Sequence, residues 1–422
     1  MKILVVGAGY VGLTTGVGLA SLGHKVVSLD VDEKKVNMLN QGKSPIYEKG
    51  IGKLLKKVRS EEHFSATTDV LAAVKDAEII FICVGTPSKK SGEIDLRYLL
   101  QAARSLGGAI GKVGGYKIVV VKSTVVPGTT EEKVIPLLEK TSGKKAGKQF
   151  GVCVNPEFLK EGSALKDFFH QDRIVIGELD PKSGNGLAKL YRGFRCPIIR
   201  TNLRTAEMIK YASNAFLAAK ISLINEIGNI CKRLGIDVYE VARGIGADPR
   251  ISPHFLEAGV GFGGSCFPKD VRALITRAEE LGYRPRMLKS VMEVNDIQPF
   301  ILLGLLKKHI PDLRGKTIGV LGLSFKPGTD DIREAPSIKI VGELLRGGAH
   351  VKAYDPKAVE NFKRLFPDID YCDAEEVLNS DAVLILTGWD EFRRLNYKGK
   401  IVIDGRKIDE ARKARIYEGV CW

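Results

Sequence analysis

The chain opens with an apolar run over residues 2–7 that passes directly into glycines. A short apolar run bounded by turn residues fits a strand covered on both faces, as parallel sheets require. Helical spacing follows through residues 13–22 and stops at Gly23; a second apolar run, Lys25-Val26-Val27-Ser28-Leu29, ends at Asp30. Further buried strands are predicted at 78–84, 116–122 and 151–155. From 201 to 234 the period is helical and long, with Ala206, Ile209, Ala212, Ala215, Phe216, Ala219, Ile221, Leu223, Ile224, Ile227 and Ile230 apolar. These positions fill more than one stripe, so this helix is expected to be buried between domains or between subunits. The last third repeats the first, with strands at 316–321, 350–354, 381–386 and 400–403 and with Asp355 and Asp404 following two of them.

The first turn is Gly7-Ala8-Gly9-Tyr10-Val11-Gly12, set between strand and helix, with Asp30 closing the next strand. In that setting Gly7 allows the turn, Gly9 admits a pyrophosphate and Gly12 lets helix and strand pack closely. The pyrophosphate meets the positive helix end, and Asp30 accepts from ribose hydroxyls while repelling a 2′-phosphate, so NAD is expected over NADP. Lys35 reaches the same region or is simply an exposed helix charge. The later Gly319-Val320-Leu321-Gly322 lacks this fingerprint and reads as a site for a different, nucleotide-bearing ligand. The fold expected is α/β: two doubly wound Rossmann-like domains (1–199 and 306–422) joined by a central helical domain (200–305) containing one long helix.

With 422 residues, 44% hydrophobic and 27% charged, the chain has enough apolar material for packed cores. The net charge of +15 is spread in pairs such as Lys34-Lys35, Lys56-Lys57 and Arg393-Arg394, and no single block collects it. A small anionic substrate is therefore expected, not nucleic acid or a membrane surface. Seven cysteines without paired spacing fit neither a disulfide framework nor a zinc site, so a reducing cytoplasm and no metal are expected. The strand that follows Met1-Lys2 leads to the expectation of no leader segment, and no apolar run is long enough to span a membrane.

Candidate chemistry centres on Gly261-Phe262-Gly263-Gly264-Ser265-Cys266-Phe267-Pro268-Lys269-Asp270. Pro268 suits the first turn of a helix, and a thiol at a helix N-terminus beside a lysine gains thiolate character. Locally, Cys266 reads equally as a nucleophile or as a core thiol. Lys210 and Asn214 lie one turn apart on the long helix and share a face, lining a pocket or standing at a surface. The loops at Gly85-Thr86-Pro87 and Ser123-Thr124 follow strands at the end where such sheets bind ligands. Lys326 and Arg333 either meet phosphates or pair with Asp330 and Asp331.

Taken in order, Gly7–Gly12, Asn155-Pro156-Glu157-Phe158-Leu159-Lys160-Glu161-Gly162, Lys210 with Asn214, Gly263–Asp270 and Phe325-Lys326-Pro327…Arg333 resemble the UDP-glucose/GDP-mannose dehydrogenase family from end to end. Gly261-Phe262 and Phe267 look like its UDP-glucose branch, since GDP-mannose enzymes more often carry Leu after the cysteine. The resemblance implies a four-electron oxidation of UDP-glucose to UDP-glucuronate by two NAD, with GDP-mannose or another nucleotide sugar as the alternative substrate. It implies Cys266 as nucleophile, Asp270 and Lys210 as proton-handling groups, Lys210 and Asn214 as oxyanion donors, and Glu157 as base for water held with Thr124. For NAD it implies Gly7, Gly9, Tyr10, Val11, Gly12, Asp30, Lys35, Thr86, Thr124, Glu161, Lys269 and Arg333. Substrate contacts implied are Glu157, Phe158, Leu159, Lys160, Glu161, Lys210, Asn214, Phe255, Leu256, Glu257, Ala258, Gly259, Gly263 and Lys326, with Arg250 from a neighbouring subunit of a homodimer or higher oligomer. Lys160 stands where many relatives have Arg, and Glu257 where many have a neutral or basic residue.

Overall fold

A computed structural model describes every residue except Lys90. The chain divides into two compact units, Met1–Ala212 and Ser213–Trp422.

The first unit contains β1 (Lys2–Val6), β2 (Lys25–Leu29), β3 (Phe64–Thr67), β4 (Ile79–Ile82), β5 (Ile118–Val121), β6 (Gly151–Val154), β7 (Ile174–Glu178) and β8 (Ile198–Thr201). They form one sheet in the order β3-β2-β1-β4-β5-β6-β7-β8, parallel except where β7 runs against β6. The central strands are apolar because helices cover both faces: every residue of β4 (IIFI) and β5 (IVVV) is buried. Strand order reverses between β1 and β4, and ligands of such sheets bind beyond the strand ends at that crevice. The helix Tyr10–Ser21 follows β1 and is buried along most of its length. A 32-residue helix, Leu203–Leu234, starts in this unit and continues into the next.

The second unit holds the rest of that helix, then the helices Val238–Gly246, Phe267–Glu280 and Arg286–His309. Six strands follow: β9 (Thr317–Leu321), β10 (His350–Tyr354), β11 (Asp370–Tyr371), β12 (Ala382–Ile385), β13 (Ile401–Asp404) and β14 (Ile416–Gly419). Their order is β11-β10-β9-β12-β13-β14, all parallel. The helices and this sheet share one core, in which Ile224, Val238, Leu302 and Leu306 pack with Val320, Leu384 and Ile403. Removing one such side chain, as in Leu306→Ala, costs about 2–5 kcal/mol. That shared core is why the helical segment and the C-terminal sheet form a single unit. No described helix is long and apolar enough to cross a membrane.

Candidate active site

The turn after β1 sits at the crevice. Gly7 has φ of +99°, a backbone conformation that side chains disfavour, and its N–H donates to the Leu29 carbonyl at 2.7 Å. Gly9 caps the helix Tyr10–Ser21 and brings no side chain to its first amides. A Cβ on Gly12 would fall 1.9 Å from the Gly7 carbonyl oxygen, so only glycine allows this approach. Asp30, just past β2, accepts from the amides of Ala8 at 2.7 Å and Asp32 at 3.0 Å, with the Lys35 ammonium 4.0 Å away. Beside it lies a cavity of about 130 Å³ lined by Gly7, Asp30, Val31, Val70, Val84, Tyr98 and Leu106, among others. An anion-accepting helix start, a carboxylate and an apolar slot are the groups that a dinucleotide needs, and the residues present fit one. Tyr10 donates to the Tyr47 carbonyl at 2.7 Å, and Val11 is half-buried beside it. The two ligand-side loops are tied, Thr86 Oγ1 donating to the Thr124 carbonyl at 2.8 Å.

Below this cradle is a buried ion pair. Glu157 stands three residues beyond β6, and its carboxylate lies 2.9 Å from the Lys210 ammonium, with side-chain exposures of 7% and 5%. Burial alone would push the Glu157 carboxyl up, but the Lys210 charge and hydrogen bond, the Leu159 amide at 2.6 Å and the Lys122 charge outweigh it. The net result is a carboxyl below its ordinary range. Phe158 lies between two cations: its ring centroid is 5.5 Å from Lys210 Nζ and 3.9 Å from the Arg173 guanidinium. Leu159 and Glu161 are half-buried, whereas Lys160 is exposed and paired with Asp167 at 3.7 Å.

Three residues that the sequence reading passed over hold this region together. Glu48 accepts from the amides of Gly162 at 2.8 Å and Ala164 at 3.1 Å, anchoring the end of the 155–162 segment. Glu207, one turn before Lys210, accepts from the amides of Gly128 at 2.6 Å and Thr130 at 2.9 Å; burial pushes its carboxyl up to about 7. Lys122 donates to Asn155 Oδ1 at 2.9 Å. Each is a single polar residue in an ordinary stretch whose partner is 30 or more residues away. Only the polar character of Lys122 at the end of an apolar strand is visible locally.

The second unit carries the thiol. Cys266 is the N-cap of the helix Phe267–Glu280, with Pro268 in its first turn, as the spacing predicts. Ser265 Oγ is 3.5 Å from the sulfur. One turn further on, Asp270 is 1% exposed; it accepts from Asn214 Nδ2 at 2.6 Å and pairs with the Lys269 ammonium. The loop before Cys266 is pinned from two sides. Asn295 exchanges two hydrogen bonds with the Phe262 backbone, at 2.7 and 3.0 Å, and the Gly264 amide donates to the Arg333 carbonyl at 2.8 Å. A Cβ on Gly263 would lie 2.4 Å from the Glu334 carbonyl oxygen, which explains the glycine there.

Around this loop, Arg333 makes a forked pair with Asp331, and Lys326 lies 5.4 Å from the Phe325 ring centroid. The 255–259 segment is fastened by Tyr239, which donates to the Ala258 carbonyl at 2.7 Å, by Asn225 accepting from the Gly259 amide, and by Gln298 donating to the Gly259 carbonyl. Leu256, Ala258 and Gly259 are buried, Phe255 half-buried and Glu257 exposed. Arg406, also unmarked in sequence, donates to the Leu386 carbonyl at 2.7 Å, and its Nη1 would lie 3.5 Å from a Cβ on Gly259. Arg250 is 88% exposed and forked onto Asp248. Among the described residues no cluster of His, Cys, Asp and Glu could hold a metal ion.

A dinucleotide cradle on one doubly wound sheet, a second such sheet and a cysteine-bearing helix between them in sequence define a nicotinamide-dependent dehydrogenase. The chain belongs to the UDP-glucose/GDP-mannose dehydrogenase family. Residues 1–195 match that family's NAD-binding domain, 204–297 its central domain and 319–410 its UDP-binding domain. It is 45% identical to a UDP-glucose 6-dehydrogenase of Haloferax volcanii, and the match covers 100% of both chains. It is 42% identical to a GDP-mannose 6-dehydrogenase of Pseudomonas aeruginosa, again over 100% of both. The solved structure of a UDP-glucose dehydrogenase from Pyrobaculum islandicum superposes with a TM-score of 0.97 at 44% identity, over 100% of this chain and 98% of that one.

Proposed function

We propose that the chain oxidises UDP-glucose to UDP-glucuronate with NAD, using Cys266 as a covalent nucleophile. The observation that carries this reading is Cys266 at a helix start with a buried, doubly held Asp270 one turn on. Gly7, Gly9, Gly12 and Asp30, with Tyr10, Val11, Lys35, Thr86, Glu161, Lys269 and Arg333 around them, would hold NAD, which when bound would supply the hydride acceptor for both oxidations. Phe255–Gly259, Gly263, Lys326 and the Phe158–Glu161 segment bind the nucleotide sugar, with Arg250 supplied by a second copy.

Asp270, through water, and Lys210 take the C6 hydroxyl proton in the first oxidation. The Cys266 sulfur then adds to the aldehyde carbon, forming a C–S bond while its proton passes to the carbonyl oxygen. Oxidation of that thiohemiacetal leaves a thioester. Glu157 removes a proton from water positioned by Thr124, the water oxygen attacks the thioester, and the C–S bond breaks to regenerate the thiol. Lys210 and Asn214 stabilise the oxyanion at each tetrahedral stage. In sum, UDP-glucose, two NAD⁺ and one water give UDP-glucuronate, two NADH and three protons.

Support for a second copy comes from the long helix, where Phe216, Leu223 and Ile230 recur every seven residues at 71%, 58% and 54% exposure. A heptad of exposed apolar residues is the seam of a helix pair. The cytoplasm is the compartment that suits seven cysteines with no disulfide among them. GDP-mannose is the second reading, because a GDP-mannose enzyme matches over the full length at nearly the same identity.

The test is NADH formed per sugar consumed, for the parent and for Cys266→Ala, with GDP-mannose in parallel. Two NADH per UDP-glucose, with sustained turnover lost in the variant, is expected. One NADH per sugar, or undiminished turnover in Cys266→Ala, overturns the thioester route. Activity with GDP-mannose alone keeps the route and replaces the substrate.

A further inference from the structure

Lys122 is a buried cation that the chemistry above does not use. It follows β5 directly, with its amide donating to the Ile82 carbonyl at 2.9 Å, and it is 6% exposed. A buried ammonium is costly unless it is bonded and balanced by charge. Its Nζ donates to Asn155 Oδ1 at 2.9 Å and lies 3.4 Å from the Asn155 carbonyl oxygen. Asn155 is otherwise held by the Tyr191 hydroxyl, which donates to the same Oδ1 at 2.6 Å, and by its own Nδ2 donating to the Val175 carbonyl at 2.8 Å. Two residues later the chain presents Glu157 to Lys210.

The groups around that carboxylate come from several elements. Lys210 pairs with it from the long helix, while Lys122 at the end of β5 and the Cys83 thiol beyond β4 act on it through their fields. Arg173 covers the outer face of Phe158. Burial pushes the Cys83 thiol up to about 12 and raises the Tyr191 phenol as well, so both stay neutral. Burial likewise lowers Lys122, while Glu157 favours its charged form. Glu157 and Lys210 balance one another, and the Lys122 charge adds to the field that holds Glu157 ionised, which suits a base working beside a developing oxyanion.

We propose that Lys122 is a positioning residue for thioester hydrolysis: it locks the Asn155 turn that aims Glu157 and supplies the second positive charge at that carboxylate. It works through Asn155 and Glu157, not by touching the sugar. The inference rests on Glu157 as the base for hydrolytic water, so its test must separate the two.

The experiment compares the parent, Lys122→Met, Lys122→Gln and Glu157→Gln by melting temperature, steady-state kcat and KM against pH, and rapid-mixing NADH formation. Lys122→Met is expected to keep KM for UDP-glucose and to release two NADH per site in a burst. Its steady turnover is expected to fall roughly 10–100-fold, as for a misaimed catalytic group. Its acid limb should move to higher pH, because Glu157 loses a cation that keeps it ionised. Lys122→Gln retains a donor for Asn155 but no charge; it should show the same shift of the limb with a smaller loss of rate. Should Lys122→Met fail to fold, the Gln variant decides alone, and an unmoved acid limb in it overturns the proposal. Parental turnover and pH profile in either folded variant, while Glu157→Gln stalls after the burst, overturns the role of Lys122 and keeps that of Glu157. Parental turnover in Glu157→Gln overturns the base itself.

Discussion

The six strands of the second sheet repeat the order of the first six of the first sheet, yet the two treat the first turn and its carboxylate in opposite ways. After β1 and β9 the chain turns at Gly7 (φ +99°) and Gly322 (φ +94°), each donating its N–H to the strand alongside, at 2.7 and 2.8 Å. Asp30 and Asp355 follow β2 and β10 at matching places. In the first sheet the helix begins at Tyr10, and Asp30 accepts from two backbone amides beside an open slot. In the second the next helix waits until Pro336, and Asp355 is 2% exposed. Six donors fill its lone pairs: the amides of Leu323, Ser324, Lys357 and Ala358, the Ser324 hydroxyl and the Trp389 indole. A carboxylate so occupied has no capacity left for ribose hydroxyls. The intervening stretch leads instead to the Cys266 loop, where the Arg333 carbonyl receives Gly264. One topology thus serves once as a cofactor cradle and once as scaffolding for the cysteine-bearing loop.

The strongest way to break this comparison is to exchange the fates of the two carboxylates. Asp355→Ala should destabilise the protein by about 3–5 kcal/mol, because it orphans buried donors. Asp30→Ala should melt near the parent while KM for NAD rises roughly 10–100-fold, about 1.4–2.8 kcal/mol of binding. Denaturant melts and NAD titration read the pair, and an Asp355→Ala protein as stable as the parent would sink the distinction.

The glycines sharpen the same contrast. Gly12→Ala puts a methyl against the Gly7 carbonyl and should cost roughly 1–3 kcal/mol together with NAD binding. Gly9→Ala meets nothing within 4 Å, so it should fold normally and lose only cofactor affinity. Calorimetry with and without NAD separates the two.

Each unit also buries one raised carboxyl, Glu207 at about 7 in the first and Asp404 at about 6 in the second. A carboxyl raised on folding favours the folded state when protonated, so its contribution is full below the unfolded value, near pH 4. It is then lost as pH rises through 6 for Asp404 and through 7 for Glu207. Each contribution is at most about 3 kcal/mol. Urea melts at pH 4.5, 6 and 8 should show this loss, and Glu207→Gln or Asp404→Asn should each flatten its own part of the curve. A parent curve that rises over this range contradicts the assignment.

The smallest effect belongs to the surface. Lys35 is 42% exposed and 4.0 Å from Asp30, so Lys35→Ala should change stability by less than about 0.5 kcal/mol.

Much of this was legible in residue order. The runs that become β1, β2, β4, β5, β6, β9, β12 and β13 stand out as short apolar runs, and β10 as an alternating one. Cys266 at a helix start follows from Pro268, and the shared face of Lys210 and Asn214 from their spacing. β8 escaped because it is only partly buried, with the pattern IIRT half-exposed throughout. β7 is apolar, but nothing local signals that it runs antiparallel to β6. β3 (FSAT) carries one large apolar residue and β11 has only two positions, so neither shows as an apolar run.

The sequence by itself determined the alternation of strands and helices, the cofactor fingerprint and the thiol-bearing turn. These depend on period, turn chemistry and capping, which act among residues within a few positions of one another. Tertiary structure decided which carboxylates are saturated and which cations are buried. Asp30 and Asp355 look alike in sequence, and Lys122 looks like any strand-end lysine. What separates them is partners brought from far along the chain, such as Trp389 onto Asp355 and Asn155 onto Lys122. A buried charge takes its meaning from those partners, because in a low-dielectric interior the neighbouring donors and charges set both its cost and its protonation.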